Sequence, residues 1–161
     1  IMDEHYLILE ELIALGRTSI RLSYNTNMSN LRFRDKLVQE YWNKFDKVRV
    51  GVSIDDVGPR GEYFRHGSNW QKIVDNILAV KKACPHVVFT INCTISLFNV
   101  YYIPEIHQTA VSLGLIDPGN FYPNVLLDPV EYRVQELPKA FREKAKKKNS
   151  DYLAKLQFLL K

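Results

Sequence analysis

The sequence has 161 residues, of which 46% are hydrophobic and 25% charged, and its formal net charge is +4. This length and apolar content exclude a disordered chain and fit one globular domain or a piece of a larger one. No apolar run reaches about 18 residues, and the first segment is acidic where a signal peptide is basic. We therefore expect a cytoplasmic protein with no membrane segment. The two cysteines, Cys84 and Cys93, have no zinc or iron–sulfur spacing and are expected to be buried free thiols.

The first half of the chain alternates predicted helices with predicted strands. Apolar residues at helical spacing predict one helix over 3–16 and another over 33–46. Between them, residues 19–27 alternate apolar with polar side chains and end in asparagines, which indicates a strand. Residues 48–55 repeat the alternation and lead into a glycine-containing loop over 56–68.

The second half continues in the same order. A helix is predicted over 69–84, a strand with two different faces over 86–96, and a helix over 101–115. A short apolar strand is predicted over 124–127, and prolines interrupt the segment that follows. From Lys139 onward, one or two basic amphipathic helices complete the chain.

This order, without hairpin-length turns, predicts βα units and a parallel sheet. Three strands have a polar second face, whereas a sheet covered by helices on both faces reads as nearly continuous apolar residues. We therefore predict an α/β fold, a partial (β/α) barrel of the TIM-like type with parallel strands and helices on the outer face. The polar strand faces would line a ligand cavity, because ligands gather at the carboxyl ends of such strands.

Several separated motifs resemble the radical S-adenosylmethionine (SAM) enzymes. SYNTN, VRVGVSIDDVG, YFRHGSNW, INCTISLFNVYYIPEI and LGLIDP occur in the order in which that superfamily places its corresponding motifs. The similarity spans about residues 3–128 and points to members with a C-terminal twitch domain. It implies SAM and a 4Fe-4S cluster as cofactors of the parent protein. It also implies cleavage of SAM to a 5'-deoxyadenosyl radical that abstracts hydrogen from a peptide or protein substrate.

The resemblance implies seven cofactor-binding residues. Ser53 and Asp55 would face the ribose or amino-acid part of SAM, and Arg65 would pair with its carboxylate, which matches guanidinium geometry. The remaining four would line the same cavity or cap a strand exit: Asn27, Thr94, Ser96 and Asn99.

The chain also departs from the superfamily pattern. The C-x3-C-x2-C loop that ligates the cluster and the Gly-Gly-Glu segment are absent, and Asp56 stands where the superfamily has glycine. We interpret residues 1–128 as the C-terminal portion of a radical SAM partial barrel and 129–161 as a basic helical segment leading toward an auxiliary domain. Such a fragment is expected to bind no cofactor, to be inactive alone, and to self-associate through an open sheet edge.

The residues taken alone leave other interpretations open. Asp55 could cap the following loop, Arg65 could form a surface ion pair, and Asn27 could shape a turn. The positive charge lies mostly in residues 139–161. A non-catalytic α/β module whose basic tail binds nucleic acid or an acidic partner is therefore the alternative, although the modest net charge does not favour nucleic acid.

Overall fold

The computed structural model describes residues 3–159, with side chains to residue 157. In chain order the elements are α1 (Asp3–Ala14), β1 (Arg21–Thr26), β2 (Arg32–Phe33), β3 (Lys36–Leu37), α2 (Val38–Trp42), β4 (Lys47–Ser53), α3 (Gly58–Phe64), α4 (Trp70–Ala83), β5 (Val88–Ile95), α5 (Ile103–Ser112), β6 (Phe121–Val125) and α6 (Lys139–Leu159). Two short 3-10 turns, at Val130–Tyr132 and Val134–Glu136, precede α6.

A four-stranded parallel sheet is the centre of the fold. Its strand order is β1-β4-β5-β6, and each neighbouring pair is parallel. The crossovers between the paired strands contain helices, as parallel pairing requires. The predicted α/β class with parallel strands is thus confirmed. The sheet is open, with β1 and β6 as its edges.

The apolar face of the sheet forms the core. Alternate residues of β4 point inward, and Val48, Val50 and Val52 are at most 2% exposed. Helix α4 contributes an apolar stripe whose buried residues are Ile73, Val74, Ile77 and Val80. Each such side chain stabilises the fold by about 1.5–3 kcal/mol through removal from water. The alternation read in the sequence therefore places the core correctly.

The opposite face of the sheet is polar and largely exposed. Register and parity put the following residues on it: Arg21, Ser23, Asn25, Lys47, Arg49, Gly51, Ser53, Val88, Thr90, Asn92, Thr94, Tyr122 and Asn124. The exposure of Ser23, Arg49 and Tyr122 shows that the helices pack on the other face. We call this surface the open face.

Two predicted elements are wrong in part. The helix expected over 33–46 begins only at Val38, because β2 and β3 form an antiparallel hairpin just before it. Arg34 turns this hairpin with a positive φ of 55°, while Phe33 stacks on Tyr6 of α1. Burial of that aromatic ring against α1 outweighs the local helical pattern. In addition, the loop expected over 56–68 contains α3.

The strand predicted over 124–127 lies earlier, at Phe121–Val125. Its pairing with β5 begins at Ile91 opposite Phe121, so sheet register sets its position. Cys84 and Cys93 are buried and free, as predicted. Across the part of the chain that the structure describes, no helix combines the length and the apolar character needed to cross a membrane.

Helix α6 is a single helix that packs on α5 at several points. Ala145 is 2% exposed, and Tyr152 is hydrogen-bonded through its hydroxyl to Nδ1 of His107 at 2.6 Å. Lys148 of α6 forms an ion pair with Glu105 of α5. The basic segment is therefore docked on the α/β unit along part of its length.

Candidate functional site

Asp55, just beyond β4, is the centre of a polar cluster at the carboxyl ends of β4 and β5. Its Oδ1 accepts the backbone N–H of Thr94 at 2.8 Å. Its Oδ2 accepts from Nε of Arg65 at 2.9 Å and from Nη2 of the same guanidinium at 2.8 Å. The carboxylate thus joins the exit of β5 to the residue that follows α3. Asp55 is only partly buried, so this pair borders solvent.

Asn99 fixes the backbone beneath this cluster. The side chain is buried at 1% exposure, and its Nδ2 donates to the carbonyls of Asp55 at 2.6 Å and Thr94 at 2.8 Å. Its Oδ1 accepts the N–H of Ser96 at 2.8 Å. Because the amide is occupied on both ends, Asn99 ties the two strand exits together. These hydrogen bonds cap the ends of both strands.

Ser96 also has a local role, because its Oγ accepts the N–H of Phe98 at 3.3 Å. Thr94 and Ser53 lie on the open face and are half-buried. The hollow between Ser53, Asp55 and Arg65 has a volume of only about 10 Å³, enough for about one water molecule and too small for a cofactor. A ligand that uses these side chains would therefore lie on the open face rather than inside a preformed pocket.

A tight turn holds α3 against the end of β4. Asp56, which is 2% exposed, accepts two hydrogen bonds from the Arg60 guanidinium, each at 2.9 Å. A Cβ on Gly61 would lie 2.3 Å from the Asp56 carbonyl oxygen, so only glycine fits there without movement. The positive φ of this turn falls on Gly58, at 58°, and not on Asp56.

Asn27 is not part of the cluster. Its Oδ1 accepts the N–H of Ser29 at 3.1 Å and the Ser29 hydroxyl at 2.8 Å, within the turn that follows β1. Met28, inside this turn, has a positive φ of 55°. Among the described residues Asn27 shares no hydrogen bond with the other six predicted residues. The structure gives it the turn-shaping role that its residue type favours.

A second polar feature crosses the middle of the open face. Nδ2 of Asn92 on β5 donates to Oδ1 of Asn25 on β1 at 2.9 Å. The bond passes over Gly51 of β4, where a Cβ would lie 2.5 Å from one amide and 2.6 Å from the other. We call these three residues the amide bridge. Its remaining donor and acceptor sites face the solvent side of the sheet.

Sequence reasoning placed Asn25 and Asn92 on polar strand faces but did not connect them. The sequence did contain one signal, Gly51, because a glycine within a strand indicates that other groups approach its backbone closely. In the folded sheet Gly51 is the register partner of Asn25. The strand order β1-β4-β5, needed to see that β4 separates them, follows only from the folded sheet.

Cys84 and Cys93 are buried free thiols. Burial, together with the carboxylates of Asp55 and Asp56, raises the pKa of Cys93 to about 12, and burial also raises the pKa of Cys84. Within the described residues no group of three His, Cys, Asp or Glu side chains could hold a metal ion.

No protein-family model matches this chain, and no curated protein matches it in sequence.

Proposed function

We propose that the chain forms the later part of a partial (β/α) barrel of TIM-like type in a radical SAM enzyme. The observation that supports this most is the all-parallel sheet with helices on one face and a polar open face on the other. A sheet of this kind becomes a barrel wall when further parallel strands extend it. The open face would then line the interior, with Asp55 and Arg65 at its carboxyl end. A cytoplasmic location accompanies this proposal.

The residues of the open face fit the chemistry of SAM. The methionyl part of SAM carries a carboxylate and an amino group, and its ribose carries hydroxyls. Arg65, with a side chain 36% exposed, retains Nη1 for a carboxylate after Nε and Nη2 have bound Asp55. The amide bridge supplies further donors and acceptors at mid-sheet. Ser53 and Thr94 add hydroxyls between the two features.

The described residues do not fit the 4Fe-4S cluster. Cluster ligation takes several cysteine thiolates in one place, whereas this chain has two cysteines, both are buried, and within the described residues neither belongs to a group of three possible metal ligands. The proposal therefore assigns the cluster ligands to another part of the parent protein. This chain alone is therefore expected not to cleave SAM.

In the parent enzyme, bound SAM and the reduced cluster would supply a 5'-deoxyadenosyl radical that abstracts hydrogen from a peptide or protein substrate. The residues of this chain would position SAM and shield the radical from water. Asp55 holds the Arg65 guanidinium in one orientation through two donors, which pre-organises it for a carboxylate. Asn99 keeps Asp55 and Thr94 in register by binding both of their carbonyls.

The test uses the parent protein, reconstituted with iron and sulfide without oxygen and then reduced. We expect it to convert SAM to 5'-deoxyadenosine. The Arg65→Gln variant should raise KM for SAM by about 10- to 100-fold, since a charge-assisted hydrogen bond contributes roughly 1.5–3 kcal/mol. Arg142→Gln, which changes an exposed arginine of α6, is the matched control and should leave KM unchanged. Failure of the reconstituted parent to form 5'-deoxyadenosine would refute the proposal.

One observation favours a second candidate, a non-catalytic module that binds an acidic partner. A groove of about 500 Å³ between α5 and α6 is lined by Lys144, Lys147, Lys148 and Lys155. Lys147 is already paired with Asp151 at 2.7 Å and Lys148 with Glu105, which reduces the charge available to a partner. Binding of an acidic peptide that Lys144→Gln and Lys155→Gln abolish would favour this candidate. SAM cleavage by the parent would favour the first.

A further inference from the structure

Three cations gather at the amino-terminal end of the open face, opposite to the proposed cofactor site. Arg21 of β1 and Lys47 of β4 are direct register partners. Arg49 lies two residues further along β4 and on the same face. Its own register partners, Ser23 and Val88, are uncharged. Like charges placed directly across neighbouring strands are destabilising unless something compensates them.

No protein carboxylate compensates them within the described residues. The ion pairs of the structure engage other cations, such as Lys36 with Glu10 at 2.6 Å and Arg65 with Asp55 at 2.8 Å. Asp46 lines the same hollow, but no ion pair within 4.0 Å joins it to Arg21, Lys47 or Arg49. The cluster therefore keeps an excess of positive charge.

The cations border a hollow of about 380 Å³, whose wall includes Val88 and Tyr122. The Arg49 guanidinium lies over the Tyr122 ring, with 5.1 Å between its carbon and the ring centroid. This contact restrains the arginine without using its hydrogen-bond donors. The volume falls in the range of small-ligand sites. The site therefore has a defined shape, because Arg49 is held on Tyr122 and the register partners Arg21 and Lys47 border the same hollow.

We propose that this hollow binds a small molecule bearing phosphate groups. Guanidinium donors match phosphate oxygens in pairs, and a lysine adds a point charge, so Arg49, Arg21 and Lys47 could share a diphosphate. The three side chains emerge from two hydrogen-bonded strands, which hold their backbones rigidly. The site uses the same face as the proposed SAM site but the opposite strand ends, and it does not depend on that proposal.

The test is calorimetric titration of the chain with inorganic pyrophosphate, with inorganic phosphate and ADP as parallel arms. We expect saturable one-to-one binding of pyrophosphate that weakens as salt concentration rises. Arg49→Gln and Lys47→Gln should each weaken it about tenfold, since each removes one close charge contact. Lys82→Gln, which changes an exposed cation on α4, is the matched control and should not alter binding. Circular dichroism of each variant checks that the fold is retained.

The three probes also identify the chemical class of the ligand. Tighter binding of ADP than of pyrophosphate would indicate a ligand with a nucleoside attached, and equal affinities would indicate recognition of the phosphates alone. Absence of binding by all three probes would overturn the proposal. Binding that Lys82→Gln weakens as much as Arg49→Gln does would overturn it too, because it would show non-specific attraction. Arg65→Gln should not affect pyrophosphate binding, so failure here is distinguishable from failure of the SAM proposal.

Discussion

Replacement of Gly61 by alanine tests whether close packing of α3 on the end of β4 positions the site. The added Cβ would lie 2.3 Å from the Asp56 carbonyl oxygen and 2.9 Å from its carbon, both backbone atoms that cannot rotate away. Overpacking of this kind costs about 1–3 kcal/mol, while alanine gains up to about 1 kcal/mol over glycine in a helix. Contacts this close with fixed backbone atoms belong at the upper end of that range, about 3 kcal/mol, so we expect Gly61→Ala to lower the free energy of unfolding by a net of about 2 kcal/mol.

Urea denaturation followed by circular dichroism measures this change. The matched control is Gly119→Ala, where a Cβ would meet no atom within 4 Å and φ is not positive. The control should alter stability by less than about 0.5 kcal/mol or raise it slightly. A Gly61→Ala protein as stable as the wild type would refute the packing argument. Because Arg65 directly follows α3, a shift of α3 should also disturb its pair with Asp55.

Four further outcomes are expected. Burial, with Asp55 and Asp56, raises the pKa of Cys93 to about 12 from 9.0, so the unfolded thiol ionises first and stability is lost as pH rises from about 9 toward about 12. Across this pH range the free energy of unfolding should fall more steeply with pH in wild type than in Cys93→Ala, by up to about 1.4 kcal/mol per pH unit. Equal pH slopes for the two proteins would contradict the raised pKa of Cys93. Asn99→Ala should lower the free energy of unfolding by about 1–3 kcal/mol, because it leaves two partly buried carbonyls without their side-chain donor. Ser96→Ala should lower it by less than about 1 kcal/mol, and equal losses for the two variants would contradict the role of the Asn99 amide. Light scattering should detect concentration-dependent association through the open edge strands, and a monomer at all concentrations would remove that expectation. Anaerobic reconstitution of the chain with iron and sulfide should give no cluster absorbance, and a stoichiometric cluster would show that the cysteine argument is wrong.

Strand parity was the most reliable guide to the fold. The alternation over 48–55 separates buried Val48, Val50 and Val52 from the open face, as the structure has it. This works because side-chain direction in a strand depends only on local geometry, and burial selects apolar residues on one side. The hairpin before α2 could not be read in the same way. The hairpin packs on α1 through Phe33 and Tyr6, which are far apart in the sequence, so no local pattern reports this contact.

The polar cluster at the strand ends was predictable in location but not in its hydrogen bonds. Asp55, Thr94, Ser96 and Asn99 meet at the carboxyl ends of β4 and β5 because adjacent parallel strands end at the same edge. The Arg65 pairing with Asp55 depends on where α3 docks, which no local pattern specifies. Asn27 has the residue type of a ligand, but its oxygen is engaged by Ser29 in a local turn.

The amide bridge has a mechanical consequence. Within residues 3–159, the backbone of the edge strand β1 pairs only with β4, yet Asn25 also ties it to β5, the third strand. For β1 to slide along β4, the hydrogen bond between Asn25 and Asn92 of β5 would have to break. Local opening of the edge should therefore be coupled to β5, and hydrogen exchange of the amides of β1 and β5 should accelerate together when Asn92 is replaced by alanine. The hydrogen bond that resists this sliding can cross β4 because Gly51 has no side chain in its path.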